Sequence, residues 1–154
     1  MLSCLERKIP PPIVALAAAG LMWLLAEKFG LPRYRASYQS IICGLLVAFG
    51  LLVDFAAVWL FWRVGTTVNP MSPHKASNLV TSGIYRYTRN PMYVGNLIFL
   101  MAWLVWLGAP YGLIGLIAYV IYTVQYQIKP EERALSALFG DEYGFFCSSV
   151  RRWF

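Results

Sequence analysis

Polar side chains that could bind a small molecule are concentrated in the second half of an otherwise apolar chain. The segment from Thr81 to Gly95 contains two arginines, three tyrosines and one asparagine, directly before a long apolar run. Because a residue that precedes proline avoids helical geometry, Asn90 should lie outside a helix that begins at Pro91. The free N–H groups of such a helix start can hold an anion such as a carboxylate. The alternative is an interfacial belt, in which tyrosines lie at headgroup depth and arginines pair with lipid phosphates.

Two adjacent carboxylates, Glu131 and Glu132, follow Pro130 after the last apolar run. Proline suits the first turn of a helix, and acidic residues there interact favourably with the helix dipole. A structural role therefore explains the pair. The functional alternative is a carboxylate that accepts hydrogen bonds from a ribose or an amino group.

Two further polar residues lie inside apolar runs. Asp54 lies about two-thirds along the second run, and an acid at that depth is costly and by default functional. The alternative is an ion pair with Arg63, which directly follows the run, about two helical turns further on. Gln127 lies near the end of the last run, where an amide can hydrogen-bond a neighbouring helix.

The elements that must position these residues are four apolar runs, which approach the length of a transmembrane helix of about 20 residues. Hydrophobic residues make up 59% of the 154 residues and charged residues 13%, unlike a soluble domain. The glycine pattern of a dinucleotide-binding Rossmann domain is missing from the sequence. We therefore expect an all-α integral membrane protein with four transmembrane helices. The runs are Pro10–Ala26, Tyr38–Trp62, Pro91–Leu107 and Tyr111–Ile128.

The connections between the runs define the domain organisation. Only Gly108-Ala109-Pro110 separates the last two runs, which predicts an antiparallel helical hairpin. An apolar stripe between Leu135 and Phe139 predicts a short amphipathic helix at the membrane face, which Gly140 can end. We expect two transmembrane helices in residues 1–62. Residues 63–154 should form one integrated unit of cofactor-binding loop, hairpin and tail.

The charge distribution predicts the orientation and excludes some partners. Ten of the 13 basic residues fall in the N-terminal tail, the second loop and the C-terminal tail, which predicts that these three segments are cytoplasmic. A net charge of +6 on an apolar chain favours membrane lipids over nucleic acid. The single histidine, His74, and three cysteines without a metal-binding spacing predict no bound metal. The first run lacks a cleavage site and is expected to be retained, and the absence of organelle signals favours a bacterial inner membrane.

The order and spacing of four blocks resemble the isoprenylcysteine carboxyl methyltransferase family, which is similar to membrane phospholipid methyltransferases. The resemblance covers roughly residues 63–154. The blocks are Leu79-Val80-Thr81-Ser82-Gly83-Ile84-Tyr85, Arg89-Asn90-Pro91-Met92-Tyr93-Val94-Gly95, Glu131-Glu132, and Phe139-Gly140 with Tyr143.

The resemblance implies a membrane methyltransferase that uses S-adenosylmethionine and acts on a lipophilic or small acceptor by in-line methyl transfer. It also assigns cofactor-binding positions: the adenosine side to the segment that ends at Val80, the methionine end to the block that begins at Arg89, and a tail contact to Glu131. The positions are Ser77, Asn78, Leu79, Val80, Tyr85, Arg89, Asn90, Pro91, Met92, Tyr93 and Glu131. The catalytic base is unknown, and Asp54 and Glu132 are the candidates.

Two departures from the family pattern bear on the acceptor. Asn90 stands where the family usually has histidine, and Gln127 stands where the prenylcysteine enzymes have a substrate-binding arginine. A neutral amide cannot pair with a carboxylate as arginine can, so we expect poor methylation of a prenylcysteine carboxylate. The rival hypotheses are a membrane reductase of the sterol-reductase type that uses NADPH, and a non-catalytic protein of the same fold.

Overall fold

The computed structural model describes residues 8–28, 33–65 and 78–153, and these residues form helices and turns without a β-strand. The first four α-helices each begin near the start of an apolar run, and the third begins at the predicted residue, Pro91. A short 3-10 helix, Gly83–Arg86, precedes α3. The α-helices are α1 (Pro11–Lys28), α2 (Gln39–Val64), α3 (Pro91–Leu107), α4 (Gly112–Thr123) and α5 (Lys129–Ser149).

Two of these helices, α1 and α2, are long and apolar enough to cross a membrane. Helix α3 is equally apolar but has 17 residues. Many large hydrophobic side chains on these helices are exposed, including Leu45, Leu52 and Phe55 on α2. Exposure of this kind would be unfavourable in water and suits contact with lipid chains.

The helices pack as two pairs, α2 against α3 and α1 against α4, and α1 also contacts α3. Met22 of α1 and Tyr119 of α4 are almost completely buried in the core between the second pair. Gly115 permits this close approach, since a Cβ there would lie 3.2 Å from the Ala18 carbonyl oxygen.

The turns lie at two opposite ends of the bundle. At one end, the Tyr34 N–H donates to the Gly108 carbonyl oxygen, which joins the α1–α2 connection to the α3–α4 turn. At the other end, Gln127 donates to the Ile9 carbonyl oxygen, and Asn90 donates to the carbonyl oxygen of Arg152. The segment before α1, the start of α3 and the tail therefore share one end, which we name the site end.

The tail differs from the predicted short helix. A π-helical turn, Val124–Ile128, joins α4 to α5 without a break, and α5 continues for 21 residues. The wider turn accommodates Pro130, whose ring would clash with the preceding turn of a regular helix. Gly140 has a positive φ of 51° and a ψ of −123°, both outside the helical range, so the helix that begins at Lys129 ends there as predicted, and a second helical segment follows the kink.

Candidate functional site

An inner layer of polar side chains lies near the site end. Residues from α3, α4 and α5 meet here: the Tyr93 hydroxyl donates to Glu131 Oε2 at 3.1 Å, and the Tyr119 hydroxyl donates to the Tyr93 carbonyl oxygen at 3.4 Å. Tyr93 is 5% exposed. With Asp54 and Tyr85, described next, these three residues form what we call the inner polar layer. Its members are far apart in the sequence, between positions 54 and 131.

Asp54 enters this layer from α2, where its carboxylate packs directly on the backbone of Gly95 in α3. A Cβ at position 95 would overlap Asp54 Oδ1 and would lie 2.6 Å from Cγ. Oδ1 is buried and has no hydrogen-bond partner among the described residues. The expected alternative partner, Arg63, lies instead over the Trp59 ring, with its guanidinium carbon 5.5 Å from the ring centroid.

Tyr85 reaches the layer from the 3-10 helix. Its ring is buried and makes an edge-to-face contact with Phe61 of α2. Its hydroxyl is buried and unpaired within the described part of the chain. Burial first, and then the charges of Glu131 and Asp54, raise the pKa of this phenol well above its ordinary value. The hydroxyl therefore stays protonated and can donate a hydrogen bond to a bound molecule.

A second group of polar residues binds the tail to the start of α3. Glu132 accepts two hydrogen bonds from Arg152, at 3.0 and 2.7 Å, and lies 3.2 Å from Arg89 Nη2. The Thr88 hydroxyl and the Asn90 amide both donate to the Arg152 carbonyl oxygen. We name Thr88, Arg89, Asn90, Glu132 and Arg152 the tail clasp. Glu132 is thus held by two guanidinium groups, whereas Glu131 belongs to the inner polar layer.

Some predicted cofactor positions already have protein partners. Arg89 contacts the Cys147 sulfur as well as Glu132. The Asn90 carbonyl accepts the N–H groups of Tyr93 and Val94, so fewer free donors face outward at the α3 start than the sequence suggested. Cofactor contacts by Arg89 and Asn90 stay predictions.

The other predicted positions surround Tyr85 or lie at the edge of the site end. Leu79, Val80 and Met92 belong to the same apolar cluster as Tyr85. Pro91 is buried at the first position of α3. Asn78 is exposed, with Nδ2 3.5 Å from the Val64 carbonyl oxygen. Ser77 lies outside the described residues.

Gln127, the predicted substrate residue, is buried on the π turn. Its Nε2 donates to the Ile9 carbonyl oxygen at 2.9 Å, and its Oε1 is buried without a partner among the described residues. The amide nitrogen therefore holds the segment before α1. The open Oε1 is an acceptor, which suits an N–H group better than a carboxylate.

Sequence reasoning missed Tyr119 and the role of Gly95. Tyr119 lies within electrostatic range of Asp54 and close to Asn96 and Thr123. A tyrosine inside an apolar run was a weak signal, because aromatic residues are common in membrane helices. Gly95 was part of a recognised block, but only the three-dimensional contact shows that its missing side chain makes room for Asp54.

A layer of polar side chains inside a bundle of apolar helices defines this protein as a membrane-type helical protein with a candidate binding site. Comparison with known proteins gives its family. The phospholipid methyltransferase family model matches residues 38–142, and the chain belongs to this family. This membership agrees with the isoprenylcysteine carboxyl methyltransferase resemblance and indicates methyltransferase activity at a membrane. An uncharacterized protein of Haemophilus influenzae is 42% identical over 62 residues, which are 40% of this chain and 98% of that protein. No solved structure matches the chain.

Proposed function

We propose that this protein is an integral membrane methyltransferase that uses S-adenosylmethionine to methylate a lipophilic acceptor. The observation that carries the proposal is the meeting of Tyr85, Tyr93 and Glu131. The family resemblance assigns these three positions to the cofactor, and in the fold they converge at one end of the bundle. The family membership supports the reaction class.

Three residues of the inner polar layer, Tyr85, Tyr93 and Glu131, fit such a cofactor. Glu131 can accept hydrogen bonds from a ribose hydroxyl or from the cofactor amino group, and Tyr93 orients its Oε2. The buried Tyr85 hydroxyl can donate to a polar atom of the ligand, because the described chain supplies no other partner. When bound, S-adenosylmethionine supplies an activated methyl group.

The main contribution of the protein to such a reaction is alignment. An in-line displacement at a sulfonium needs neither a metal nor a covalent intermediate, and alignment can supply about 7–11 kcal/mol of the barrier. The helices exclude water from the reacting groups, which desolvates the nucleophile. The exposed apolar faces of α2 and α3 offer a route for a lipophilic acceptor from the bilayer.

We also propose the membrane arrangement. The segment from α3 to the π turn completes a bundle of four transmembrane helices, with the site end and both termini in the cytoplasm. This orientation follows from the excess of Lys and Arg residues at that end. A cytoplasmic site end gives a water-soluble cofactor direct access in a bacterial inner membrane.

The acceptor is proposed to be uncharged or amine-bearing rather than a prenylcysteine carboxylate. A carboxylate brought to this depth must lose its hydration, and an unpaired one is expensive there. Asp54 Oδ1 and Gln127 Oε1 are buried without a partner among the described residues, and both are hydrogen-bond acceptors. The Asp54 oxygen would repel a substrate carboxylate, and the Gln127 oxygen could not donate a hydrogen bond to it.

A methyl-transfer assay tests the function and the acceptor together. The protein in lipid nanodiscs is supplied with isotopically labelled S-adenosylmethionine and with phosphatidylethanolamine, dodecylamine, dodecanethiol or acetyl-farnesyl-cysteine. We expect labelled product from an amine or thiol and little from the prenylcysteine. Robust turnover of acetyl-farnesyl-cysteine would contradict the acceptor proposal, and labelling of none of the four would contradict the proposed function.

A further inference from the structure

The carboxylate of Asp54 lies in the α2–α3 contact with an unused hydrogen-bonding atom. Its Oδ1 is buried and finds no partner in residues 8–28, 33–65 and 78–153. A buried acceptor without a partner loses its hydration without compensation, and the loss is greater inside a membrane. The structural alternative for this acid, an ion pair with Arg63, is not formed, because Arg63 lies over the Trp59 ring. A bound group that donates a hydrogen bond would satisfy it.

Gly95 leaves the space that this carboxylate occupies. Because any side chain at position 95 would overlap Oδ1, the glycine creates the space that Asp54 fills. Gly95 lies four residues after Pro91, so the carboxylate is about 6 Å inside the start of α3. Asp54 is thus one helical turn deeper than the site end.

The neighbours of Asp54 define which chemical group would fit there. The hydroxyls of Tyr85 and Tyr119 lie within electrostatic range of its charge, and Glu131 acts on Tyr85 from the tail side. The two carboxylates therefore approach Tyr85 from α2 and from α5. This arrangement attracts a cationic, N–H-bearing group and repels an anion.

We propose that Asp54, positioned by Gly95, binds the amino group of the methyl acceptor and removes a proton from it. The inference rests on the proposed methyltransferase function. A protonated amine gives one proton to Asp54 and becomes a neutral amine with a free lone pair. That lone pair forms the new nitrogen–carbon bond to the methyl group. The carbon–sulfur bond breaks at the same time, and the electron pair of that bond stays on sulfur. The product nitrogen is again positive, and Asp54 releases its proton to water at the site end.

Three variants test the role of Asp54. Asp54→Asn keeps the shape but removes the charge, and Gly95→Ala keeps the charge but displaces the carboxylate. Gly44→Ala is the matched control, because Gly44 is on the same helix as Asp54 and a Cβ there would meet nothing within 4 Å. Each protein is assayed in nanodiscs for S-adenosylmethionine affinity by calorimetry, and for methyl transfer to dodecylamine and phosphatidylethanolamine.

We expect Asp54→Asn and Gly95→Ala to bind S-adenosylmethionine like the wild type but to lose about 100-fold or more in methyl transfer at neutral pH. Gly44→Ala should retain both properties. The Asp54→Asn rate should recover at alkaline pH, because the free-amine fraction rises about tenfold per pH unit below the amine pKa. The other titratable groups around the site, Tyr85, Tyr93, Tyr119 and Glu131, are the same in both proteins, so they do not account for a difference in recovery.

The outcomes separate this inference from the function on which it rests. Unchanged amine methylation by Asp54→Asn, with normal cofactor binding, would overturn the role of Asp54 and leave the methyltransferase proposal standing. If Asp54→Asn does not fold, Gly95→Ala decides, and wild-type transfer by that variant would overturn the inference. Failure of the wild type to bind S-adenosylmethionine would overturn both.

Discussion

The inner polar layer and the tail clasp are neighbours near the site end, but their polar atoms differ in whether they have hydrogen-bond partners. In the tail clasp, Glu132 is held by two arginines and the Arg152 carbonyl oxygen accepts from two side chains, and Arg89 Nε is the clasp atom that is buried without a partner among the described residues. In the inner polar layer, the Tyr85 hydroxyl and Asp54 Oδ1 are buried without partners among the described residues. Satisfied polar groups stabilise a fold, and the open oxygens of the inner polar layer are acceptors and donors that a ligand could use. The adjacent residues Glu131 and Glu132 thus belong to regions with different hydrogen-bond partners.

The largest expected effect separates the two glutamates by cofactor affinity. Glu131→Gln removes a charged hydrogen-bond partner from the inner polar layer, which should cost about 1.5–3 kcal/mol of S-adenosylmethionine binding. Glu132→Gln should change the affinity much less, because that carboxylate is held by Arg89 and Arg152. Calorimetric titration of both variants measures the difference. Equal losses of affinity would show that the two regions do not have separate roles.

The second effect concerns stability, and here we expect the larger loss from the change at Glu132 rather than at Glu131. Glu132→Gln leaves two partly buried guanidinium groups without their shared carboxylate, and we expect a loss of about 2 kcal/mol in the free energy of unfolding. Glu131→Gln should lose less, since a glutamine can still accept the Tyr93 hydrogen bond. Denaturant unfolding in detergent checks this. If Glu132→Gln were more stable than Glu131→Gln, the tail clasp would not secure the tail.

The smallest effect concerns the orientation of Glu131. Tyr93→Phe removes one hydrogen bond to the carboxylate and should weaken cofactor binding by about 1 kcal/mol. Tyr87→Phe is the matched control, because Tyr87 lies at the same end and is 77% exposed. If Tyr93→Phe bound the cofactor as tightly as Tyr87→Phe, the Tyr93 hydroxyl would have no role in orienting Glu131 for the cofactor.

The sequence predicted those parts of the fold that depend on local chemistry. Proline at position 91 defined the start of α3, and the short Gly108–Pro110 connection defined the turn between α3 and α4. In the tail, the predicted break at Gly140 is confirmed, but the helical segment after it was not predicted, and the π turn that accommodates Pro130 has no recognisable sequence signal.

The contacts of the candidate site were harder to predict because they join distant segments. Sequence could nominate Tyr93 and Glu131 separately, but their hydrogen bond spans 38 residues and depends on how α5 returns to α3. The ion pair considered between Asp54 and Arg63 assumed a neighbour on the same helix. The actual neighbour of Asp54 is a glycine on another helix, and a residue without a side chain gives no sign of what it faces.

Calorimetric titration of S-adenosylmethionine into the purified wild-type protein tests the central claim most directly. We expect saturable binding in the micromolar range, competition by the demethylated product S-adenosylhomocysteine, and no competition by NADPH. Absence of any heat or thermal-shift response at millimolar S-adenosylmethionine would contradict the methyltransferase account. Binding of NADPH in its place would favour the reductase alternative.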